Sequence, residues 1–222
     1  MPSGKLIVLE GPEGAGKTTQ APLVAEWLNV RGHPAIALRE PGGTPIGDQI
    51  RAILLDTPDG AVADAAEALL YMASRAQLVD RVVRPALALG TIVLLDRFFL
   101  STYAYQVVGR GLPEAEVRAA NQLAVGGLVP DLTIMLTLPA NEGLDRVARR
   151  GAHDRLERAD RAFHERVANA FRDFTNPRWQ QARPECGLIE SVDATEPIEA
   201  VHKSIVTVLQ RRWPESFASD RN

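Results

Sequence analysis

Eight consecutive residues have the types and spacing of a phosphate-binding loop. They are Gly11, Pro12, Glu13, Gly14, Ala15, Gly16, Lys17 and Thr18, and they fit the pattern G-x-x-x-x-G-K-[ST]. An apolar run at residues 6–9 precedes the loop and a helical pattern follows it, which is the context that this motif requires. Glycines let backbone N–H groups turn toward phosphate oxygens, and the helix N-terminus adds partial positive charge. The sequence therefore predicts a nucleoside triphosphate site, with Lys17 on the β- and γ-phosphates and Thr18 on Mg²⁺.

A second set of charges lies outside the loop. Four arginines stand singly at predicted strand ends or on predicted helices: Arg39, Arg51, Arg75 and Arg97. The guanidinium fork suits phosphate groups and the edges of planar bases. Asp96 closes a buried-strand pattern, which is the usual position of an acid that holds Mg²⁺ or water. These residues predict that a second phosphorylated substrate binds beside the triphosphate.

Spacing alone leaves part of this interpretation open. Tyr71 and Arg75 are four residues apart on a predicted helix and can project into one cleft, yet Tyr71 could instead be core and Arg75 a solvated charge. The loop motif is shared by GTPases, motor ATPases and small-molecule kinases. Because the chain has no Asn-Lys-x-Asp stretch with which to read guanine, the GTPases are excluded.

Segments of strand length alternate with helical patterns and must position these groups. The predicted strands are residues 5–10, 34–38, 91–95, 131–138 and 188–192. The predicted helices are residues 17–31, 45–56, 65–89, 98–109, 114–125, 142–150, 163–178 and 197–212. The alternation predicts a three-layer α/β protein of the P-loop NTPase type, with a five-stranded parallel sheet between helices and ligands at the carboxyl ends of the strands. We expect one domain over residues 1–213 and a frayed polar tail over 214–222.

The composition argues against several classes of partner. The formal charge of −3 provides no basic excess for binding nucleic acid. Cys186 is the one cysteine, which excludes an intrachain disulfide and a thiolate metal cluster. The strand pattern begins at residue 5 and no apolar run is long enough to span a membrane, so we expect neither a signal peptide nor a membrane partner. The sequence predicts a cytoplasmic protein.

Taken in order, the motifs of this chain resemble those of the bacterial thymidylate kinase family, a branch of the P-loop nucleoside monophosphate kinases. The resemblance runs nearly end to end and rests on residues 10–20, 39–44, 96–97, 101–102, 104–106, 130–133 and 154–157. It implies transfer of the γ-phosphoryl group of ATP to dTMP with Mg²⁺ as the metal. It also implies a homodimer, for which the apolar stripe of the 65–89 helix is a candidate interface, although that stripe could equally be buried within the monomer.

The resemblance also implies roles for particular residues. The ATP-binding set is the phosphate-binding loop, residues 11–18, together with Thr19. The metal ligands are Thr18 and Asp96. The dTMP-binding set is Glu13, Glu40, Pro41, Arg51, Tyr71, Arg75, Arg97, Ser101, Thr102, Tyr105 and Gln106. Arg97 would hold the acceptor phosphate with Arg51 closing on it, and Glu13 would face the sugar 3′-hydroxyl and the metal.

The base and the sugar would be recognised by the remaining members of that set. Tyr71 would stack on the pyrimidine and Arg75 would donate to thymine O4. Thr102 and Gln106 would read the rest of the base edge. Tyr105 would pack beside the deoxyribose, where a 2′-hydroxyl would clash. A site that buries donors against particular base atoms rejects other bases strongly, because its own polar groups are then left unpaired.

The chain departs from part of the family at two places. Some members carry an arginine inside the loop, where this chain has Gly14, so the charge on the transferred phosphoryl group must come from elsewhere. A short arginine-rich lid at about residues 146–160 is the expected source, with Arg150 the first choice and Arg155 the second; the lid arginines are Arg146, Arg149, Arg150 and Arg155. The predicted catalytic groups are thus Lys17, Arg97, Glu13 and Arg150. Phe98 and Phe99 replace the more usual polar or tyrosine side chains.

Two alternatives remain at this point. A kinase acting on another nucleotide or on a deoxynucleoside would keep the loop, and Glu40 could then serve as the base for a 5′-hydroxyl. A nucleotide-binding switch or scaffold would keep the loop without turnover, but the arginines that could grip an acceptor argue against it.

Overall fold

The computed structural model describes residues 4–58, 60–151, 155–156 and 158–217. The apolar runs form one parallel sheet, whose three central strands are buried on both faces and whose two edge strands are partly exposed. Its strands are β1 (Leu6–Glu10), β2 (Ala35–Arg39), β3 (Ile92–Asp96), β4 (Leu132–Thr137) and β5 (Ile189–Asp193), in the spatial order β2-β3-β1-β4-β5. The register aligns Leu9 and Arg39 with Asp96, so three strands end at one edge of the sheet.

Helices connect the strands and cover the sheet. In chain order they are α1 (Lys17–Val30), α2 (Pro45–Asp56), α3 (Asp64–Leu78), α4 (Arg84–Ala88), α5 (Phe99–Thr102), α6 (Glu114–Val125), α7 (Ala140–Arg150), α8 (Arg161–Asp173), α9 (Pro177–Gln181), α10 (Ile198–Arg212) and α11 (Pro214–Phe217). Two wider π-helical segments, Val79–Val83 and Tyr103–Gly109, continue α3 and α5, and a short 3₁₀ turn spans Pro184–Cys186.

The core lies in two layers because neighbouring residues of a strand point to opposite faces. Leu6 and Val8 join the layer beneath α3 and α8, whereas Ile7 and Leu9 join the layer beneath α1 and α10. The fold class predicted from the sequence, a five-stranded parallel sheet flanked by helices, is confirmed. Within the described part of the chain, no helix combines the length and the apolar character needed to cross a bilayer.

Three predicted elements need correction. The 65–89 helix is interrupted by the Val79–Val83 segment, and its apolar stripe is only partly buried, because Leu69 is 60% exposed while Val83 is fully buried. The 163–178 helix ends at Asp173, since Pro177 cannot continue it and starts α9 instead.

The predicted polar tail is also corrected over its first residues. Residues Pro214–Phe217 form α11, and Phe217 is 2% exposed because its ring packs against Trp27, His33 and Trp213. A single aromatic residue in a polar stretch was enough to anchor this segment. Residues 218–222 lie outside the described part of the chain.

Candidate active site

The phosphate-binding loop turns its backbone around the Lys17 ammonium group. Lys17 Nζ donates to the carbonyl oxygens of Gly11 at 2.9 Å and Pro12 at 2.7 Å. Gly14 lies with φ +74° against Gly143 of α7, and a Cβ on Gly14 would sit 2.4 Å from the Gly143 carbonyl oxygen. This position therefore has no room for the arginine that some relatives of the predicted family carry.

Burial alters the charge state of Lys17. Desolvation, reinforced by the positive charge of Arg97, lowers the pKa of Lys17 to about 8. The carboxylates of Glu13, Asp96 and Glu10 oppose the shift without cancelling it. A bound triphosphate would add negative charge beside the ammonium group and favour its protonated form.

Thr18 and Asp96 form a pair of oxygen ligands at the mouth of the loop. Thr18 Oγ1 donates to Asp96 Oδ2 at 2.6 Å, while Asp96 Oδ1 is buried and makes no hydrogen bond among the described residues. An orphaned carboxylate oxygen beside a hydroxyl fits Mg²⁺, which takes one or two carboxylates and completes its shell with phosphates and water. Within the described part of the chain, there is no group of three or more acidic, histidine or cysteine side chains that could hold a metal ion.

Arg97 occupies an unusual backbone conformation directly after β3. Its φ of +74° is the one positive value found at a non-glycine residue in the described ranges. Its guanidinium donates to Glu13 Oε1 at 2.6 Å, Ser101 Oγ at 2.9 Å and the Gly11 carbonyl oxygen at 3.3 Å. The left-handed backbone turns this side chain back toward the loop, beside Lys17.

Two neighbours hold Arg97 and its loop in place. Glu10, fully buried at the end of β1, accepts from the backbone N–H groups of Phe98 and Ser101 and from Ser101 Oγ. The Tyr105 hydroxyl donates to Glu13 at 2.8 Å, and burial together with Glu13 raises its pKa well above the ordinary value although Arg97 opposes this. Tyr105 consequently stays a neutral donor.

Arg75 of α3 is the centre of a buried network that reaches α5, α6 and the loops after β2 and β3. Its guanidinium donates to Glu40, Thr102, Asn121 and the Phe98 carbonyl oxygen. Two nitrogens lie 2.7 and 2.6 Å from Glu40 Oε2, and each of the three guanidinium nitrogens donates to a protein acceptor. A ligand atom bound to Arg75 would share a hydrogen with one of these acceptors.

Glu40 and Phe98 both contact the Arg75 guanidinium. Burial raises the pKa of Glu40 against the opposing effect of Arg75. Its Oε2 pairs with Arg75, whereas its Oε1 is buried and has no hydrogen-bond partner among the described residues. Phe98 lies beneath the guanidinium, with 5.1 Å between the guanidinium carbon and the ring centroid, and its side chain is fully buried. The polar contacts at position 98 come from its backbone, which donates to Glu10 and accepts from Arg75.

One cavity of about 280 Å³ contains most of the predicted site. All eleven residues expected to bind dTMP line it, so Tyr71 and Arg75 do share one cleft. Lys17, Thr18, Thr19 and Asp96 line it from the loop side, while Leu55 and Leu156 contribute apolar wall that the sequence did not indicate. Gly11, Pro12 and Ala15 do not line the cavity and act through the backbone curvature of the loop.

The four lid arginines have different environments. Arg146 lines the cavity and donates to the carbonyl oxygens of Ala194 and Thr195. Arg149 is exposed, and the side chain of Arg150 lies outside the described part of the structure. Arg155 is 5% exposed and does not line the cavity; it donates to Glu67 at 2.5 Å and to the Leu54 carbonyl oxygen at 2.7 Å.

The sequence did not indicate three supporting residues. Glu10 accepts hydrogen bonds from the backbone after Arg97, Glu67 binds Gln106 behind the cavity, and Asn121 accepts from Arg75. A signal existed for two of them. Asn121 interrupts the buried stripe of α6 between Val117 and Val125, and Glu67 precedes Tyr71 by one helical turn. A polar residue on the apolar face of a helix indicates a buried partner.

The family model and the relatives that match this chain all belong to one family. The family model described as thymidylate kinase matches residues 9–205. A thymidylate kinase of Deinococcus radiodurans is 45% identical over 212 residues, which cover 96% of this chain and 99% of that protein.

Two further relatives agree. A thymidylate kinase of Pseudomonas putida is 44% identical, with 91% of this chain and 95% of the relative covered. A thymidylate kinase of Exiguobacterium sibiricum is 42% identical, with 95% and 98% covered. The matches therefore span the cavity, the loop and the lid.

The lowered pKa of Lys17 predicts how triphosphate binding depends on pH. Only the ammonium form attracts the phosphates, and its fraction falls above the pKa of about 8. The dissociation constant of a non-hydrolysable ATP analogue should therefore be about tenfold larger at pH 9 than at pH 7. Isothermal titration calorimetry measures both values.

Lys17→Arg is the matched control, because a guanidinium keeps its charge throughout this range. Any binding that this variant retains should not change between pH 7 and pH 9. Equal affinities of the unaltered protein at the two pH values would contradict the assignment of Lys17 as a titrating phosphate ligand.

Proposed function

The chain belongs to the thymidylate kinase family, and from this membership we propose how its residues carry out the reaction. The enzyme phosphorylates dTMP to dTDP with ATP as the donor. We propose an in-line transfer, in which an oxygen of the dTMP 5′-phosphate attacks the γ-phosphorus of ATP. The acceptor phosphate is already a nucleophile, so no covalent intermediate on the protein is needed, and catalysis consists of positioning and charge stabilisation.

One observation carries this proposal. The Gly11 carbonyl oxygen accepts hydrogen bonds from both Lys17 and Arg97, at 2.9 and 3.3 Å. A donor-phosphate cation and an acceptor-phosphate cation are therefore only a few ångströms apart in one cavity. This is the separation that two phosphates about to exchange a phosphoryl group require, and each cation offsets part of the charge that develops between them.

The metal site follows from the same loop. Thr18 and Asp96 would hold Mg²⁺ through the threonine hydroxyl and the unpartnered Asp96 Oδ1. The bound ion would neutralise charge on the β- and γ-phosphates. Asp96 is positioned for this role by β3, whose end lies beside that of β1.

The acceptor nucleotide would occupy the remainder of the cavity. Arg97 would exchange part of its contact with Glu13 for the 5′-phosphate, with Arg51 closing from the other side. Glu13, held by the Tyr105 hydroxyl, would then face the sugar. Glu40, Pro41 and Ser101 would complete the walls around the phosphate and sugar, as their places in the cavity lining suggest.

The base would lie between Tyr71 and the polar groups at the back of the cavity. Arg75 would bind thymine O4 by sharing the hydrogen that it now donates to Thr102. Thr102 and Gln106 would contact the remaining edge. Because these groups are nearly excluded from water, a base with the wrong donors would leave them unpaired.

We further propose that residues 146–160 act as a lid within a single catalytic domain and that Arg150 supplies charge to the transferred phosphoryl group. Gly14 has no room for a loop arginine, and Arg155 is committed to Glu67. Closure over both nucleotides would exclude water and suppress hydrolysis of ATP.

A cytoplasmic homodimer is the assembly that we propose. The packed helices α2 and α3 leave Ile46, Ile53 and Leu69 about half exposed or more, which is a surface that a second copy would cover. The molar mass measured by sedimentation equilibrium tests this. Twice the chain mass of 24.2 kDa would agree with a dimer, and the mass of a single chain would contradict it.

The assay for the proposed mechanism is ADP release with ATP and Mg²⁺, comparing dTMP, dUMP, dCMP, dGMP and thymidine as acceptors. We expect dTMP to give the highest kcat/KM. Arg97→Ala should lower kcat/KM for dTMP by about a thousandfold, because the acceptor phosphate loses its cation in a dry site. Arg81→Ala is the matched control, since the Arg81 side chain is 71% exposed, and it should retain the full rate.

Other outcomes would change the assignment. Turnover with thymidine alone would move the enzyme to the nucleoside kinases. The absence of acceptor-dependent ADP release would leave only nucleotide binding. An unchanged rate in Arg97→Ala would remove Arg97 from the acceptor site.

A further inference from the structure

A buried carboxylate lies directly behind the base pocket. Glu67 of α3 is 0% exposed and does not line the cavity, whereas Gln106 is 2% exposed and does. Gln106 Nε2 donates to Glu67 Oε1 at 2.9 Å. Gln106 therefore stands between Glu67 and the space in which the base would lie.

Two arginines bind the other lone pairs of Glu67. Arg110 donates to Oε1 at 3.3 Å and to Oε2 at 3.0 Å. Arg155 donates to Oε2 at 2.5 Å. Although burial acts to raise the pKa of Glu67, the hydrogen bonds from Arg110, Gln106 and Arg155 lower it overall, so the group is a carboxylate at neutral pH.

The carboxylate determines which way the Gln106 amide faces. A carboxylate has only acceptor atoms, so the partner atom of Gln106 must be its NH₂ group. The opposite orientation would press the amide oxygen against a buried negative charge. The amide carbonyl oxygen, Oε1, is consequently the atom turned away from Glu67.

We propose that Glu67 is a positioning residue for base selection: it makes Gln106 present a hydrogen-bond acceptor to the N3 position of the base. This inference rests on the proposed function, because it assumes that the acceptor is a pyrimidine nucleotide. Thymine and uracil carry a hydrogen on N3, which Gln106 Oε1 accepts. Cytosine carries a lone pair on N3, which faces that oxygen without a hydrogen between them.

The discrimination is strong because Gln106 is not free to turn over. In an exposed site a glutamine accommodates either pattern by rotating its amide. Here rotation would replace the bond to Glu67 with repulsion, so cytosine meets a fixed acceptor. Arg75 reads a different atom, at position 4, and its contacts do not include Glu67.

Glu67→Gln tests this directly, because it keeps the shape and removes the charge. The carbonyl oxygen of the new side chain should face Arg110 and Arg155, which leaves its NH₂ group toward Gln106. The Gln106 amide should then turn over and present a donor to the base. We expect kcat/KM for dCMP to rise in absolute terms, and the ratio of dUMP to dCMP efficiency to fall by about tenfold or more.

Two internal comparisons separate this effect from general damage. The ratio of dTMP to dUMP efficiency should stay unchanged, since those bases share the N3 hydrogen and differ only by a methyl group. Glu185→Gln alters another buried carboxylate, which accepts from Tyr103 and Arg118 and does not line the cavity, and it should leave both ratios unchanged. A folded Glu67→Gln enzyme with the original dUMP to dCMP ratio would overturn the proposal.

If Glu67→Gln lacks the cooperative unfolding transition of a folded protein, a second variant provides the test. Gln106→Met removes the acceptor and leaves Glu67 with its arginines, so the dUMP to dCMP ratio should again fall while the dTMP to dUMP ratio holds. An unmoved dUMP to dCMP ratio in this variant would also overturn the proposal. If the unaltered enzyme releases no ADP with dTMP, the proposed function itself fails; if it does and the ratios do not move, only the role of Glu67 fails.

Discussion

The site depends on the conformation of Arg97 at the end of the central strand β3. A left-handed backbone at a long side chain costs about 1–3 kcal/mol, and it persists only where the surroundings enforce it. Here Glu10 binds the backbone just after Arg97, while Glu13 and Ser101 bind its guanidinium. The constraint brings the guanidinium to the same Gly11 carbonyl oxygen that Lys17 binds, so the sheet would fix the distance between the two proposed phosphate sites.

Two buried ion pairs lie next to the cavity: Arg75 with Glu40, and Glu67 with Arg155. Such pairs add little net stability, because removing both charges from water offsets most of their attraction. Their value in this enzyme is directional. Glu67 accepts hydrogen bonds on both oxygens and Arg75 donates to several fixed partners, so neither side chain is free to rotate to suit a different base. The neighbouring Thr102 and Gln106 are thereby held in one orientation. On this proposal, selectivity for the acceptor would come from rigidity as much as from contact.

The sequence predicted those features that have local signals. The loop, the five strands and the α2 helix are predicted well because apolar runs, helical spacing and glycines act over a few positions. The predictions weakened where distant residues decide the structure. Glu67 meets partners 43 and 88 residues away, and Phe217 is buried by rings of α1 and by Trp213. The roles of Arg149, Arg150 and Arg155 could not be separated either, because the lid arginines share a charge and differ only in tertiary partners.

A crystal structure with dTMP, Mg²⁺ and a non-hydrolysable ATP analogue tests the central claim most directly, since it shows where the two phosphates lie. The account predicts that the dTMP phosphate binds Arg97 and the γ-phosphate binds Lys17, with Mg²⁺ held by Thr18 and Asp96. It also predicts that Arg97 keeps its positive φ, because the strand and Glu10 impose it without ligands. A dTMP phosphate bound elsewhere, with Arg97 still fully engaged by Glu13, would contradict the account.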